Sequence, residues 1–400
     1  MIAIKAIVTK FISLFMAMLM LLGVDTGIFK KPDTQWKTNY KYVMVHGLMG
    51  WGSYDMANDI APYWGMLSGD MLERLSLKGY DCYAASVNPL GSAWDRACEL
   101  YAQLTGTVVD YGEAHSEKFG HERYGRDYSC NPLIDSWSSE DKINLVGHSF
   151  GGVTVRIFAS LLEYGSEEEI AKSGDNVSEF FKGGKGDMVY SVTTLSAPHN
   201  GTSAYESEVW ADIDESTLSQ VEQALNKVDP TKFIFDMMVG MSCGPDGEIK
   251  PDTTHYELRI DNAIALNKTI KTVPSIYYFS YATQVTHEDE RGYQLPDYAK
   301  VEPLFATRCE GIGKTAFTTP GGTVVDEKWF ANDGLVNTYS ALAPFDEPQK
   351  EYDENNVNKG EWNIMPIVYG DHTYFMGEIL MTKDLTDFFN GAYSMINMLG

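Results

Sequence analysis

A glycine-framed serine is the feature of this sequence whose residue types point most directly to chemistry. Residues 147–151 read GHSFG and fit the pattern G-x-S-x-G, which places a serine hydroxyl on a sharp strand-to-helix turn. The flanking sequence fits this context, because residues 143–146 form an apolar run typical of a buried strand and residues 150–164 have helical spacing. We therefore predict that Ser149 is a nucleophile at such a turn.

A serine hydroxyl is a weak nucleophile, so it needs a histidine base and a carboxylate that orients the histidine. With this motif the order along the chain is serine, acid, histidine. His372, in a Gly-Asp-His turn near the C-terminal end, is the natural base, whereas His199 suits a structural role. Asp333, in an Asn-Asp-Gly turn, is the favoured acid, and the pattern leaves three rivals open: Asp326, Asp346 and Asp371.

Attack on a carbonyl group creates an oxyanion, which two backbone N–H groups commonly stabilise. One N–H belongs to the residue after the nucleophile, here Phe150, and the other to a loop after an early strand. Residues 45–50 (VHGLMG) directly follow a strand-like segment. We predict that the backbone N–H groups of Leu48 and Phe150 form this oxyanion hole.

The elements that must position these groups alternate between strands and helices, which indicates a mostly parallel central sheet with helices on both faces. Together with the serine motif, this alternation predicts the α/β-hydrolase fold. Strands are predicted at residues 41–45, 82–87, 143–146, 188–195 and 276–282. Helices are predicted at residues 59–79, 150–164 and 382–398. Two stretches interrupt the alternation, and we predict an insertion at residues 95–135 and a helical lid at about residues 204–245.

Composition and charge restrict the partners of the chain. Its 400 residues suit one large α/β domain with insertions. The formal net charge of −25 argues against nucleic-acid binding, which needs a cationic face, and disfavours adhesion to anionic lipid. Contact with neutral lipid remains compatible with this charge, and the simplest interpretation of most of the acidic residues is solubility.

The N-terminal sequence predicts export. Lys5 and Lys10 precede an uncharged apolar run at residues 11–24, which has the length of a signal-peptide core. We predict a signal peptide or an uncleaved N-terminal anchor at residues 1–24, a linker at 25–39 and a catalytic domain at 40–400. The expected location is therefore secreted or cell-surface.

Several sequence blocks resemble one known family, the zinc-containing bacterial lipases of the thermophilic-bacillus and staphylococcal type. The resemblance extends over roughly residues 40–375, and its longest and most specific block is residues 94–126. The other blocks are residues 46–52 (HGLMGWG), 63–65 (YWG), 191–202 (SVTTLSAPHNGT), 332–337 (NDGLVN) and 359–363 (KGEWN). The resemblance implies the hydrolysis of lipid esters at a lipid–water interface, with the catalytic triad Ser149, Asp333 and His372.

The resemblance also implies a structural zinc ion held by two aspartates and two histidines. The four family positions fall on Asp95, His115, His121 and Asp252. The residues alone support zinc more weakly, since two histidines in a polar insertion are more often surface residues. A family calcium site needs a carboxylate two positions after the catalytic histidine, where this chain has Tyr374, so calcium is doubtful and is not carried over.

Other functions of the same fold remain open, namely those of a short-chain carboxylesterase, a phospholipase or an acyltransferase. A non-catalytic protein that binds lipid surfaces is the alternative from another class. Residues 233–241 (FIFDMMVGM) fit either the apolar face of the lid or an ordinary core helix.

Overall fold

The structure is a computed structural model that describes residues 36–206, 209, 239–380 and 382–400. The predicted signal segment, most of the predicted linker and most of the predicted lid lie outside the described residues. These three assignments therefore stay predictions.

A seven-stranded sheet forms the centre of the molecule. Its strands are β1 (Lys41–Val45), β2 (Cys82–Ala85), β3 (Ile143–His148), β4 (Val189–Leu195), β5 (Tyr277–Tyr281), β6 (Gln349–Glu351) and β7 (Trp362–Ile364). The order across the sheet is β6-β7-β5-β4-β3-β1-β2. Each pairing within the sheet is parallel, so all seven carboxyl ends lie along one edge.

Helices cover both faces of this sheet, because alternate strand residues point to opposite sides and both sides are apolar. Val43 and Leu145 belong to the core on one face, whereas Met44 and Val146 belong to the core on the other. The helices of the described residues are α1 (Met56–Ile60), α2 (Met71–Ser76), α3 (Ala93–Thr105), α4 (Glu113–Phe119), α5 (Phe150–Tyr164), α6 (Glu167–Ser173), α7 (Thr254–Glu257), α8 (Ile260–Asn267), α9 (Ala306–Ile312), α10 (Thr338–Leu342) and α11 (Thr386–Asn397).

Small two-stranded ladders complete the described structure. One of them, between Val108–Asp110 and Tyr124–Asp127, lies in the predicted insertion together with α3 and α4. Another pairs Thr283–Gln284 with Val368–Tyr369, and it joins the segment after β5 to the segment after β7. The remaining ladders are Thr286–Glu288 with Gln294–Pro296 and Phe317–Thr318 with Val324–Val325.

The last helix packs against the start of the described chain. The ring of Tyr393 on α11 stacks on Tyr42 of β1 with centroids 3.7 Å apart, and the Tyr42 hydroxyl donates to Asn397 Oδ1 at 2.8 Å. The backbone N–H of Lys37 also donates to the carbonyl of Asn397. Residues 36–39, which the sequence assigned to a linker, are thus attached to the folded domain.

The predicted fold class is confirmed, since the sheet is parallel and helices flank it. The predicted helix at residues 59–79 is wrong, because this stretch forms α1, a short 3₁₀ turn (Met66–Ser68) and α2. Pro62 and two glycines with positive φ, Gly65 and Gly69, interrupt it. In the part of the chain that the structure describes, no helix has the length and apolar character needed to cross a membrane.

Candidate active site

The serine of the GHSFG motif lies on a strained turn between β3 and α5. Ser149 has φ 55° and ψ −128°, a backbone conformation that non-glycine residues rarely adopt. The turn is possible because its neighbours are glycines: a Cβ at Gly147 would lie 2.3 Å from the carbonyl oxygen of Gly151. Glycine at both positions therefore allows α5 to start directly against the end of the strand.

Two hydrogen bonds connect Ser149 to a histidine and then to a carboxylate. Ser149 Oγ lies 2.8 Å from His372 Nε2, and His372 Nδ1 lies 2.9 Å from Asp333 Oδ2. The side chains of all three residues are buried. The structure thus brings the predicted nucleophile, base and acid together, although 223 positions separate the serine from the histidine.

Four hydrogen bonds hold the carboxylate of Asp333 in place. Its Oδ1 accepts from the backbone N–H groups of Leu335 and Val336, at 3.1 and 2.8 Å. Its Oδ2 accepts from the Thr283 hydroxyl at 2.7 Å in addition to His372. Sequence reasoning missed Thr283, since its role depends on the ladder that places residues 283–284 beside residues 368–369.

The three rival acids have other environments. Asp371 directly precedes His372, but its Oδ1 accepts from Thr373 and its Oδ2 from the backbone N–H of Glu302. Asp326 accepts from the backbone N–H of Lys328 at the start of a 3₁₀ turn, and Asp346 is exposed. Among the four candidates, Asp333 is therefore the residue that contacts the imidazole of His372.

The predicted oxyanion loop lies against the nucleophile because β1 and β3 are neighbours in the sheet. A Cβ at Gly47 would lie 3.2 Å from Ser149 Oγ, so the loop backbone passes directly beside the hydroxyl. Within the described ranges, the backbone N–H groups of Leu48 and Phe150 donate no hydrogen bond. Both donors thus remain available for an oxyanion beside the serine.

A buried arginine holds this loop in place through hydrogen bonds. Arg96 of α3 is fully buried and donates to the carbonyl oxygens of His46 and Asn88 and to the Thr154 hydroxyl. Its guanidinium also lies over the ring of Phe150, 5.4 Å from the centroid. Sequence reasoning missed Arg96, although it follows Asp95 in the long family-like block.

The cleft above Ser149 is apolar. It has a volume of about 260 Å³, and both Ser149 and His372 lie in its wall. Its other walls are formed mainly by aliphatic, methionine and aromatic side chains, among them Leu48, Met49, Trp51, Met66, Leu258, Leu304, Phe305 and Ile379. Such a lining suits the hydrocarbon part of an ester.

The four predicted metal ligands also lie close together, and none of them belongs to the serine motif. One ligand atom from each of Asp95, His115, His121 and Asp252 lies within 4.8 Å of the others. His115 Nε2 is 3.1 Å from Asp95 Oδ1 and 3.3 Å from Asp252 Oδ1, and His121 Nε2 is 3.3 Å from Asp252 Oδ2. Two atoms bound at about 2.0 Å to one tetrahedral ion are about 3.3 Å apart, so the spacing fits such an ion.

The polar atoms of this cluster support the same interpretation. Asp95 Oδ1, His115 Nε2 and His121 Nε2 are buried and have no hydrogen-bond partner among the described residues. His121 Nδ1 faces the carbonyl oxygen of Glu122 at 2.9 Å and must donate to it, which leaves Nε2 with a lone pair directed into the cluster. The residues present therefore fit a metal ion.

Local structure explains how these ligands are presented. Asp95 lies in the first turn of α3, and His115 lies in α4. The buried carboxylate of Glu169 accepts hydrogen bonds from the first backbone N–H groups of α4. Asp252 precedes α7, and the neighbouring Thr254 donates its backbone N–H to Leu90 and its hydroxyl to Gly91. The cluster thus connects the insertion to the segment before α7.

A parallel sheet with a strained serine turn after a central strand, and with a histidine and an aspartate presented beyond later strands, defines an α/β-hydrolase. More specifically, the chain belongs to the family described as "Lipase-like, C-terminal domain", whose model matches residues 38–233 and 249–396.

Individual relatives agree with this family. The chain is 34% identical over 387 residues to a lipase of Staphylococcus hyicus and 33% identical over 377 residues to lipase 2 of Staphylococcus aureus. These alignments cover 88% and 87% of this chain but 57% and 52% of the relatives, so the chain spans just over half the length of these curated relatives.

Solved structures are similar over nearly the whole chain. EstA from Clostridium botulinum superposes with a TM-score of 0.76 at 32% identity, covering 92% of this chain and 89% of that chain. The Staphylococcus hyicus lipase structure gives a TM-score of 0.72 at 32% identity, with 92% and 98% covered. The predicted family resemblance is confirmed.

Proposed function

We propose that the protein is a serine hydrolase that cleaves carboxylic esters of lipids through an acyl-enzyme on Ser149. The observation that carries this proposal is the continuous hydrogen-bonded series from Ser149 Oγ through His372 to Asp333 at the wall of an apolar cleft. The names of the relatives, which are lipases, support the same reaction.

In the first step, Ser149 Oγ attacks the ester carbonyl carbon while His372 Nε2 takes the hydroxyl proton. Asp333 accepts from His372 Nδ1, so it holds the productive tautomer and stabilises the imidazolium that forms. The N–H groups of Leu48 and Phe150 donate to the oxyanion. The alcohol leaves with the proton from His372, and Ser149 remains acylated.

In the second step, water hydrolyses the acyl-enzyme. His372 takes a proton from the water, whose oxygen attacks the acyl carbon, and the same two N–H groups stabilise the second oxyanion. Collapse of the intermediate returns the proton to Ser149 and releases the fatty acid. The apolar cleft retains the hydrocarbon chain through both steps.

A fluorophosphonate probe tests the nucleophile directly. We expect the wild-type protein to be labelled at one serine. Ser149→Ala should not be labelled, and its rate of ester hydrolysis should fall by a factor of about 10⁴ or more. Ser160→Ala is the matched control, because Ser160 is also buried on α5. Its hydroxyl accepts a hydrogen bond from the backbone N–H of Lys271 instead of facing His372. A wild-type protein that is neither labelled nor active on esters would refute the proposal.

A chain-length series of neutral esters, assayed with and without an oil interface, separates lipid esters from the alternatives. We expect activity on long-chain esters to rise when the interface is present. Activity restricted to soluble short-chain esters would indicate a carboxylesterase, and preference for phospholipids or for an alcohol acceptor would indicate a phospholipase or an acyltransferase.

We further propose that the cluster of Asp95, His115, His121 and Asp252 holds zinc. Two imidazoles and two carboxylates form a donor set that zinc accepts, and with four protein ligands the ion has a structural role, because it cross-links two segments. Metal analysis of the purified chain is expected to give one equivalent of zinc. Export remains a further proposal, supported by the sequence of residues 1–24.

A further inference from the structure

The GHSFG motif contains a histidine that the proposed mechanism does not use. We propose that His148 and Tyr63 are positioning residues, which form a neutral hydrogen-bonded bridge between the catalytic base and the oxyanion loop. The bridge starts at the backbone of His372 and ends at the backbone of Gly47, directly before Leu48. This inference rests on the proposed function, because it concerns the same reaction.

Three hydrogen bonds form the bridge, and only one direction of donation satisfies all of them. His148 Nε2 lies 2.8 Å from the carbonyl oxygen of His372, which can only accept, so Nε2 carries the proton. In a neutral imidazole Nδ1 then accepts, and it lies 2.6 Å from the Tyr63 hydroxyl, which donates to it. The Tyr63 oxygen in turn accepts from the backbone N–H of Gly47 at 3.0 Å.

The surroundings keep the bridge neutral and rigid. Burial, together with the nearby imidazole of His372, lowers the pKa of His148 to about 3. Burial also raises the pKa of the Tyr63 hydroxyl well above its ordinary range. The Tyr63 ring is fixed by edge contacts with Trp51 and Trp64, whose centroids lie 5.6 and 5.3 Å away.

The bridge contributes to catalysis by fixing two distances together. The base must stay within hydrogen-bond reach of Ser149, and the Leu48 N–H must point to the place where the oxyanion forms. His148 is covalently joined to Ser149, so the bridge aligns the base, the nucleophile and the oxyanion loop with one another. Because misplacement of reacting groups by about 1 Å can cost about 100-fold in rate, such alignment affects turnover more than substrate binding.

Tyr63→Phe is the decisive variant, since it removes one hydroxyl and preserves the ring packing. We expect kcat on a soluble short-chain nitrophenyl ester to fall about 10- to 100-fold, KM to change less than about twofold, and fluorophosphonate labelling of Ser149 to slow in parallel with kcat. Tyr80→Phe is the matched control, because Tyr80 is equally buried and donates its hydroxyl to Asn390 far from the cleft residues. The control should lose a similar amount of thermal stability and retain the wild-type kcat.

Variants of His148 test the hydrogen bond between His148 and the backbone of His372. His148→Ala removes both bonds, whereas His148→Gln restores an amide N–H near the former Nε2 position. We expect His148→Gln to recover kcat at least about fivefold over His148→Ala at equal melting temperature. If Tyr63→Phe keeps kcat and labelling within twofold of a wild-type protein that is active, the bridge is structural only and the inference is wrong. A wild-type protein that is neither labelled nor active contradicts the proposed function instead.

Discussion

At the scale of single residues, two neighbouring carboxyl groups, those of Asp333 and Asp371, have different surroundings. Asp333 is buried, yet it accepts from two backbone N–H groups, a threonine and His372. Asp371 is fully buried without a cationic partner among the described residues, and burial raises its pKa to about 6. Its hydrogen bonds to Thr373 and to the backbone of Glu302 offset only part of that effect.

The raised pKa of Asp371 predicts a pH-dependent stability. An unfolded aspartate has a pKa of about 3.9, so between about pH 4 and pH 6 the folded protein binds more protons than the unfolded chain, and the free energy of unfolding falls as pH rises. Asp371→Asn removes this dependence. From pH 4 to pH 7, we expect the free energy of unfolding of the variant to increase relative to that of the wild type by on the order of 2 kcal/mol.

Denaturant unfolding at several pH values measures this shift. Asp346→Asn, at an exposed position, is the control and should show the same pH dependence as the wild type. An unchanged pH dependence in Asp371→Asn would show that this carboxyl does not titrate in that range.

The candidate catalytic residues could be predicted from the sequence to different degrees. The GHSFG motif and the order of serine, acid and histidine suffice to suggest Ser149 and His372, because both depend on local pattern. The sequence pattern favoured Asp333 but left Asp371 open, and the family resemblance strengthened the choice of Asp333. Thr283, Tyr63 and Arg96 were missed as parts of the site, because their contacts arise from strand pairing and packing between distant segments.

At the scale of elements, the two helices of the insertion differ, because α3 contributes to the main core whereas α4 depends on contacts with other segments. α4 is short and packs mainly against α6, where Glu169 accepts from its first N–H groups. The cluster of Asp95, His115, His121 and Asp252 supplies another connection, to the segment before α7. An ion bound there would cross-link these segments.

Metal removal should therefore destabilise the protein. We expect a strong chelator to lower the melting temperature of the zinc-loaded protein by on the order of 5 °C, because a ligand that binds only the folded state contributes to its stability. His121→Ala should melt at the lower temperature and should not respond to the chelator. His287→Ala removes an exposed histidine outside the cluster and should behave as the wild type. Equal melting temperatures with and without bound metal would contradict a structural role.

Five of the seven sheet strands were predicted within a few residues, because buried parallel strands form continuous apolar runs. The helices α5 and α11 were also predicted within a few residues, whereas α3, β6 and β7 were not predicted. The helix expected at residues 59–79 is the main error. Apolar spacing continues through this stretch, but Gly65 adopts φ 118° and Gly69 φ 97°, so a helix cannot continue through either position. Periodicity alone does not show such interruptions, although the glycines and Pro62 are visible in the sequence.

At the scale of the whole molecule, charge is the dominant property. The chain has a formal net charge of −25 and also an apolar cleft, so long-range repulsion and short-range attraction oppose each other at an anionic lipid surface. At a neutral surface only the attraction remains. The protein should therefore distinguish lipid surfaces by their charge.

Adsorption measurements test this expectation. At about 10 mM salt we expect the protein to bind a neutral ester emulsion and to bind anionic vesicles much less. Raising the salt to about 1 M shortens the screening length from about 30 Å to about 3 Å. The amounts of protein bound to the two surfaces should then become more similar. Stronger binding to the anionic surface at low salt would contradict the expectation.

The order in which the polypeptide is made has its own consequence. The hydroxyl at position 149 is synthesised before the imidazole that it contacts, which belongs to position 372, beyond the last strand of the sheet. A nascent or proteolytically shortened chain that lacks this late segment carries a serine with nothing to activate it. By the proposed mechanism, incomplete copies are inert toward the lipids of the cell that makes them, and hydrolytic competence appears only when the C-terminal segment docks.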